Sequence, residues 1–199
     1  MFIDTTAIME GEIMAQVKGV PILGLIKFIK RDPQHILTRV LAALPPEIKK
    51  YLDEHIIQTA WYPYGLYTGL LRALDKVAGT GDLSYCIEQG RLGAQHDLST
   101  IYRIFLTFSG PKLWQTRAMS VWSSYFDTGK AVITVPSKNE ALFTITDFPD
   151  IDMAHVKSVQ GWNEQFLVTC KYINVKSEIK KCQCYGDPLT ELSFTFETR

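Results

Sequence analysis

The feature that most constrains this chain is a change of hydrophobic period at Asp127-Thr128-Gly129. Before it, apolar residues return in steps of three and four, the spacing of one helix face. Leu66, Tyr67, Leu70, Leu71, Leu74 and Val77 form one such stripe, and Leu83, Ile87, Ala94, Leu98, Ile101 and Phe105 another. After it, Ala131-Val132-Ile133-Thr134-Val135 and Ala141-Leu142-Phe143-Thr144-Ile145-Thr146 are β-branched and aromatic runs of strand type, close enough to pair as a hairpin. A helical pattern returns once, over 151–170, with His155, Val159, Trp162, Phe166 and Cys170 on one face. Strands follow at 171–175, 177–185 and 192–196. That order predicts an α+β fold: an N-terminal helical layer packed on a C-terminal antiparallel β-sheet, with one helix inserted between strand pairs.

Proline and glycine divide the helical half. A short helix over 22–29 stops at Arg31-Asp32-Pro33, because proline lacks an amide and restricts its predecessor. A second runs over 33–44 until Pro45-Pro46, and a third starts at Glu47. Trp61-Tyr62-Pro63-Tyr64 leads into a helix over 63–78, which Gly79-Thr80-Gly81-Asp82 breaks and recaps. The segment 83–108 reads as a central buried helix or helix pair, where Gly90, Gly93 and Ala94 let another element approach closely. A helix over 110–126 carries Trp114, Ala118, Val121, Trp122 and Tyr125 on one side. Residues 1–20 have no sustained period and are expected to form an N-terminal arm or short strand, leaving 21–199 as a single domain without repeat or linker.

Lys plus Arg equals Asp plus Glu at 21 each, so no net field steers the chain toward nucleic acid or an anionic surface. Asp4, Glu10 and Glu12 argue against a secretory signal, and the longest apolar run, Val20 to Ile26, is far short of a membrane span. Four cysteines, Cys86, Cys170, Cys182 and Cys184, are too few and too uneven for a disulfide framework. The expectation is a cytoplasmic protein with reduced thiols, no membrane span and no nucleic-acid partner.

No catalytic constellation stands out. Gly79-Thr80-Gly81-Asp82 lacks the lysine and hydroxyl of a phosphate loop and reads as a turn and cap. No histidine falls in a metal-pair pattern; His96, beside Asp97, is the one placed where a polar group could reach a pocket. Cys86 lacks a local base and reads as a buried thiol. Cys170, Glu178, Cys182 and Cys184 are weak metal candidates, since Cys-x-Cys on a strand does not wrap an ion as Cys-x-x-Cys turns do. The aromatic residues, including Trp114, Trp122, Tyr125 and Trp162, suit either a plain core or the wall of an apolar cavity.

Three stretches together carry a family likeness: Trp61-Tyr62-Pro63 ahead of a helix, Trp122-Ser123-Ser124-Tyr125-Phe126-Asp127-Thr128-Gly129 ahead of the hairpin, and Cys182-Gln183-Cys184-Tyr185-Gly186-Asp187-Pro188 near the end. They resemble the 4-vinyl reductase type of small-molecule-binding domain, related in fold to haem nitric-oxide-binding domains and TRAPP transport-particle subunits. The resemblance is nearest to an uncharacterised family described from myxobacteria, and covers the chain from about Gly19 onward. It implies a pocket between helices and sheet, dimerisation through helices, and no common reaction. Aromatic-sensing members of the superfamily hold zinc with one Cys, one Glu and two further Cys near this terminal turn. Cys170, Glu178 and Cys182 match three of these, but Thr190 stands where the last Cys is expected, unless Cys184 substitutes.

The resulting expectation is a non-enzymatic sensory domain without a cofactor. It would bind a small apolar ligand through Cys86, Tyr102, Trp122 and Tyr125, and act as a homodimer or with a protein partner. The alternative is a ligand-free scaffold used like the transport-particle subunits. The terminal turn is expected to place Gly186 at positive φ and let Asp187 bond its own backbone.

Overall fold

A computed structural model describes residues 15–31, 36–53, 55–98 and 111–198. Its helical half comprises α1 (Gly19–Arg31), α2 (Ile36–Ala43), α3 (Pro46–Asp53), α4 (Tyr64–Ala78), α5 (Ser84–Leu98) and α6 (Pro111–Ser123). Strands β3 (Lys130–Ser137) and β4 (Glu140–Thr146) follow, then α7 (Met153–Thr169), β5 (Ile173–Lys181) and β6 (Thr190–Glu197). The α+β class, the order of layers and the single helix between strand pairs are as the sequence predicts.

The four strands form one antiparallel sheet in the order β3-β4-β6-β5, so the last strand fills the gap between the hairpin and β5. Register pairs Ile133 with Phe143 and Phe143 with Leu192, which carries an apolar row across the sheet. Alternation follows from the two-residue repeat of a strand: Ala141, Phe143 and Ile145 of β4 are buried, while Asn174, Lys176, Glu178 and Lys180 of β5 face outward. The buried apolar residues of helices and sheet form one continuous core.

Two local expectations are corrected, and a third is described only in part. Trp61-Tyr62-Pro63 is a strand, β2 (Trp61–Pro63), paired antiparallel with β1 (Gln16–Lys18), so the end of the expected N-terminal arm is tied down where Val17 meets Tyr62. The separate strands expected over 171–175 and 177–185 are one, because β5 runs unbroken to Lys181 and Gln183–Tyr185 winds into a 3-10 turn. The helix expected over 83–108 is described as α5; residues 99–110, including Tyr102, lie outside the described residues.

Two helix contacts set the positions of the side chains that matter. Where α5 crosses α7, a Cβ on Gly90 would lie 1.9 Å from the Ser158 carbonyl oxygen, and one on Gly161 1.8 Å from that of Ile87. Only paired glycines allow backbones so close, which is the role the sequence suggested for Gly90. At the start of α7, Asp152 caps the helix by accepting from Ala154 N–H at 2.7 Å, and Arg72 of α4 holds the same carboxylate through two bonds of 2.8 and 2.9 Å. The Gly79-Thr80-Gly81-Asp82 segment is the expected turn and cap: Asp82 accepts from Ser84 N–H at 2.9 Å and Thr80 Oγ1–H at 2.8 Å.

Candidate ligand-binding site

Between the helical layer and the sheet lies a cavity of about 490 Å³. α1, α5 and α6 wall one side, and α7 with Ile133 and Phe143 of the sheet wall the other. Small-molecule pockets run from roughly 300 to 1,000 Å³ and are mostly apolar with a few polar groups. Trp114, Trp122, Trp162, Phe126 and Phe166 supply much of this surface.

One polar stripe runs along α7 into this wall. Asp152, His155 and Ser158 are three residues apart, so they share a face, and they meet Tyr64 and Tyr67, which share a face of α4. The Tyr64 hydroxyl accepts from Asp152 N–H at 3.1 Å and lies 2.8 Å from His155 Nδ1. The Tyr67 hydroxyl bonds Ser158 Oγ at 3.1 Å. Burial raises both phenol pKa values, Tyr67 to about 12, which keeps each O–H available to donate.

This pattern assigns the His155 tautomer. With its oxygen already taking the Asp152 N–H, Tyr64 donates its own hydrogen to Nδ1, and the imidazole proton sits on Nε2. The reverse arrangement would leave a buried phenol hydrogen without an acceptor. His155 is fully buried among Trp122, Phe126 and Phe148, and that burial lowers its pKa to about 3. The ring is neutral at physiological pH, and its Nε2 has no hydrogen-bond partner among the described residues.

The sequence-expected ligand residues fall in three places. Trp122 and Tyr125 line the cavity. The Trp122 indole donates to the Thr128 carbonyl at 2.9 Å, and the Tyr125 hydroxyl donates to Asp97, which also accepts from the Trp162 indole, each at 3.2 Å. Cys86 is corrected: it lies on the face of α5 turned to α4, with its thiol toward the Leu71 carbonyl, and burial pushes its pKa up to about 12. Tyr102 lies outside the described residues. His96 stands on the cavity wall with a mostly exposed side chain, 3.6 Å from Asp97.

The weak metal set does not assemble. Among the described residues, no three or more His, Cys, Asp or Glu side chains are placed to hold an ion. Glu178 points to the solvent face of β5 and pairs with Lys180, while Cys182 is buried. Cys182 Sγ accepts from Cys184 N–H at 3.2 Å, and the Cys184 thiol donates to the Ile151 carbonyl, pinning the turn to the start of α7. Cys170 caps the end of α7, and burial pushes its pKa up to about 12. Gly186 takes φ +90° as expected, whereas the Asp187 carboxylate bonds Cys182 N–H at 2.8 Å rather than its own backbone.

Sequence reasoning gave Trp114 as one of the aromatic residues suiting either a core or a cavity wall, placed His155 only on a helix face, and did not single out Gln89. The spacing of α7 does not separate His155 from Gln160 and Asn163, which are polar and buried on the same helix.

No protein-family model and no curated protein matches this sequence. Solved structures do match. An H-NOX protein from S. oneidensis in the Fe(II)NO ligation state aligns with TM-score 0.68 at 9% identity, over 91% of this chain and 99% of that one. The Fe(II) unliganded H-NOX protein from K. algicida aligns at 0.67 and 8% identity, over 92% and 97%. An oxygen-binding H-NOX domain related to soluble guanylate cyclases, in its oxygen complex, aligns at 0.62 and 12% identity, over 91% and 95%. These structures correspond to the haem nitric-oxide-binding part of the resemblance read from the sequence, not to its 4-vinyl reductase, TRAPP or myxobacterial parts. At such low identity what is shared is the fold, and the chain has the fold of H-NOX domains.

Proposed function

We propose that this chain is a non-enzymatic sensory domain that holds a small, mostly apolar organic molecule between its helices and its sheet. Occupancy would be passed on through a second copy of the chain or a partner protein in the cytoplasm. The cavity of about 490 Å³, walled by aromatic rings, carries the reading. α1 and α6 cover it, so an occupant stabilises their packing and shifts the population a partner meets.

Haem, which the H-NOX structures contain as an iron group, does not fit the described residues. Iron needs an axial lone pair from His, Cys, Met or Tyr. A histidine that binds a metal normally donates its second ring N–H outward. His155 has the opposite polarity, accepting at Nδ1 and carrying its proton at Nε2. His96, the other histidine of the wall, is mostly in solvent.

The test uses 1-aminoanthracene, an apolar dye that brightens when buried. Gly24 lies at the cavity mouth on α1, and a Cβ there would meet nothing within 4 Å, so Gly24→Phe blocks access without a clash. Dye binding at one site per chain, weakened at least tenfold in Gly24→Phe with unchanged melting, supports the reading. No binding, or equal binding to both proteins, overturns it. Haemin titration is expected to give no stoichiometric Soret band.

A further inference from the structure

We infer that the occupant of this cavity is an amphipathic organic monoanion, an apolar body ending in a carboxylate, whose charged end is met by Arg117 and Lys27. The inference rests on the cavity reading above and specifies its ligand. Among the described residues, the lining holds two cationic side chains, Lys27 of α1 and Arg117 of α6, and one acidic side chain, Asp97 of α5. The chain as a whole balances 21 basic against 21 acidic residues, so the positive excess is a property of this space.

The two cations are built into the faces that form the wall. On α6 the lining residues Trp114, Arg117, Ala118, Val121 and Trp122 recur in steps of three and four, which is one helix face. Arg117 is half-buried within that face, whereas Gln115, Thr116 and Ser120 are exposed and stand off the lining. On α1 the residues Val20, Gly24, Lys27 and Phe28 share the lining face in the same way. Lys27 is its exposed member, at the mouth, and makes no ion pair among the described residues. Lys30, three residues on, is exposed and does not line the cavity.

Asp97 is committed to the wall, its Oδ2 accepting from both the Tyr125 hydroxyl and the Trp162 indole. Counted in full, it leaves the lining one positive charge, to which His96 can only add. A partly desolvated guanidinium beside Trp114 and Trp122 is offset best by an anion, and its planar fork matches a carboxylate. One negative charge balances the lining, whereas a doubly charged phosphate ester would overshoot it beside Asp97. The remaining wall, with Trp122, Phe126, Trp162 and Phe166, packs an apolar body.

The experiment measures displacement of 1-aminoanthracene from the full chain by 2-naphthoate, 2-naphthamide and 2-naphthylmethylammonium, which share a ring system and differ in head charge. Naphthoate should displace the dye at concentrations about tenfold lower than either of the others. Its preference over naphthamide, taken as a ratio within each protein so that dye affinity cancels, should fall at least threefold in Arg117→Met and in Lys27→Glu. Lys27 is exposed, so its variant is available even if Arg117→Met is unstable. Lys30→Glu makes the same charge change off the lining and should leave the ratio unaltered. Equal displacement by naphthoate and naphthamide overturns the anion assignment and leaves the cavity reading standing. Tightest binding of the ammonium overturns it too, with Asp97 as the governing charge. A ratio unchanged in Lys27→Glu, or lowered as much in Lys30→Glu, overturns the role of the lining cations. Failure of the dye to bind removes the cavity reading and the inference together.

Discussion

At the terminal turn and at the cavity wall polar atoms gather in apolar surroundings, and the two resolve that gathering in opposite ways. In the turn, each backbone N–H from Cys182 to Asp187 donates, to Asp187 Oδ2, Thr190 Oγ1, Cys182 Sγ, or the Cys182 and Gln183 carbonyls. Both thiols are used as well, which leaves only the Gln183 carboxamide oxygen buried without a partner. Around the cavity, three buried side-chain nitrogens of lining residues, Gln89 Nε2, Trp114 Nε1 and His155 Nε2, have no hydrogen-bond partner among the described residues. A self-satisfied cluster adds to stability, and an unsatisfied one costs it. The two therefore respond to mutation with opposite signs.

The largest expected effect is that of acid on His155. Its pKa is lowered from 6.5 to about 3 in the folded chain, so the unfolded chain binds more protons between those values. The stability that this neutral, buried ring contributes is fully present above pH 6.5 and is lost as pH falls toward 3, by about 5 kcal/mol if the full shift is realised. His155→Phe should remove that part of the pH slope, as chemical denaturation from pH 7 to pH 4 would show. A variant with the wild-type slope would place a proton on the buried ring and undo the tautomer assignment.

Next comes the frame on which the cavity is hung. Gly161→Val drives a side chain into the Ile87 carbonyl, and overpacking of this kind costs about 3 kcal/mol. Calorimetry should show melting lowered by roughly 6–12 °C for a domain of this size. Unchanged melting would mean that the α5–α7 approach is looser than described. In the turn, Asp187→Ala strands the Cys182 N–H and should cost about 1–2 kcal/mol while leaving dye affinity unchanged. Coupled loss of stability and binding there would erase the distinction between the two regions.

The smallest effect has the reverse sign. Gln89→Leu replaces an unpaired buried donor by an apolar group of similar size, and should stabilise the free protein by about 1 kcal/mol. Gains of this sort are characteristic of sites where function is kept at the expense of stability. A destabilised Gln89→Leu would show that the carboxamide already has a partner.

How far the sequence could be read follows the same division. Periodicity located the helices and the sheet because burial acts on every third or fourth residue of a helix and every second residue of a strand. The Gly-Asp-Pro turn was conspicuous because its residues are adjacent and φ at Gly186 needs glycine. The site was not legible in this way. Gln89, Trp114 and His155 come from three helices, and what marks them is a missing partner, a property of packing that no local pattern records. Trp122 and Tyr125 were visible because they share one helical segment with clear spacing. Cys86 misled because its helix has two buried sides, and spacing alone does not say which of them meets the cavity. The extended run at Trp61-Tyr62-Pro63 was missed as a strand because its partner, β1, lies over forty residues away.

The central claim, that the cavity holds a small, mostly apolar molecule, is tested most directly by nitrogen-15 NMR of the indole N–H groups during titration with 1-aminoanthracene. Four tryptophans give four assignable signals, and Trp61 of β2 stands outside the cavity as an internal control. The account predicts that the Trp114, Trp122 and Trp162 signals of the cavity wall shift to saturation while Trp61 stays fixed. Saturating dye with none of the three wall signals shifted would contradict it.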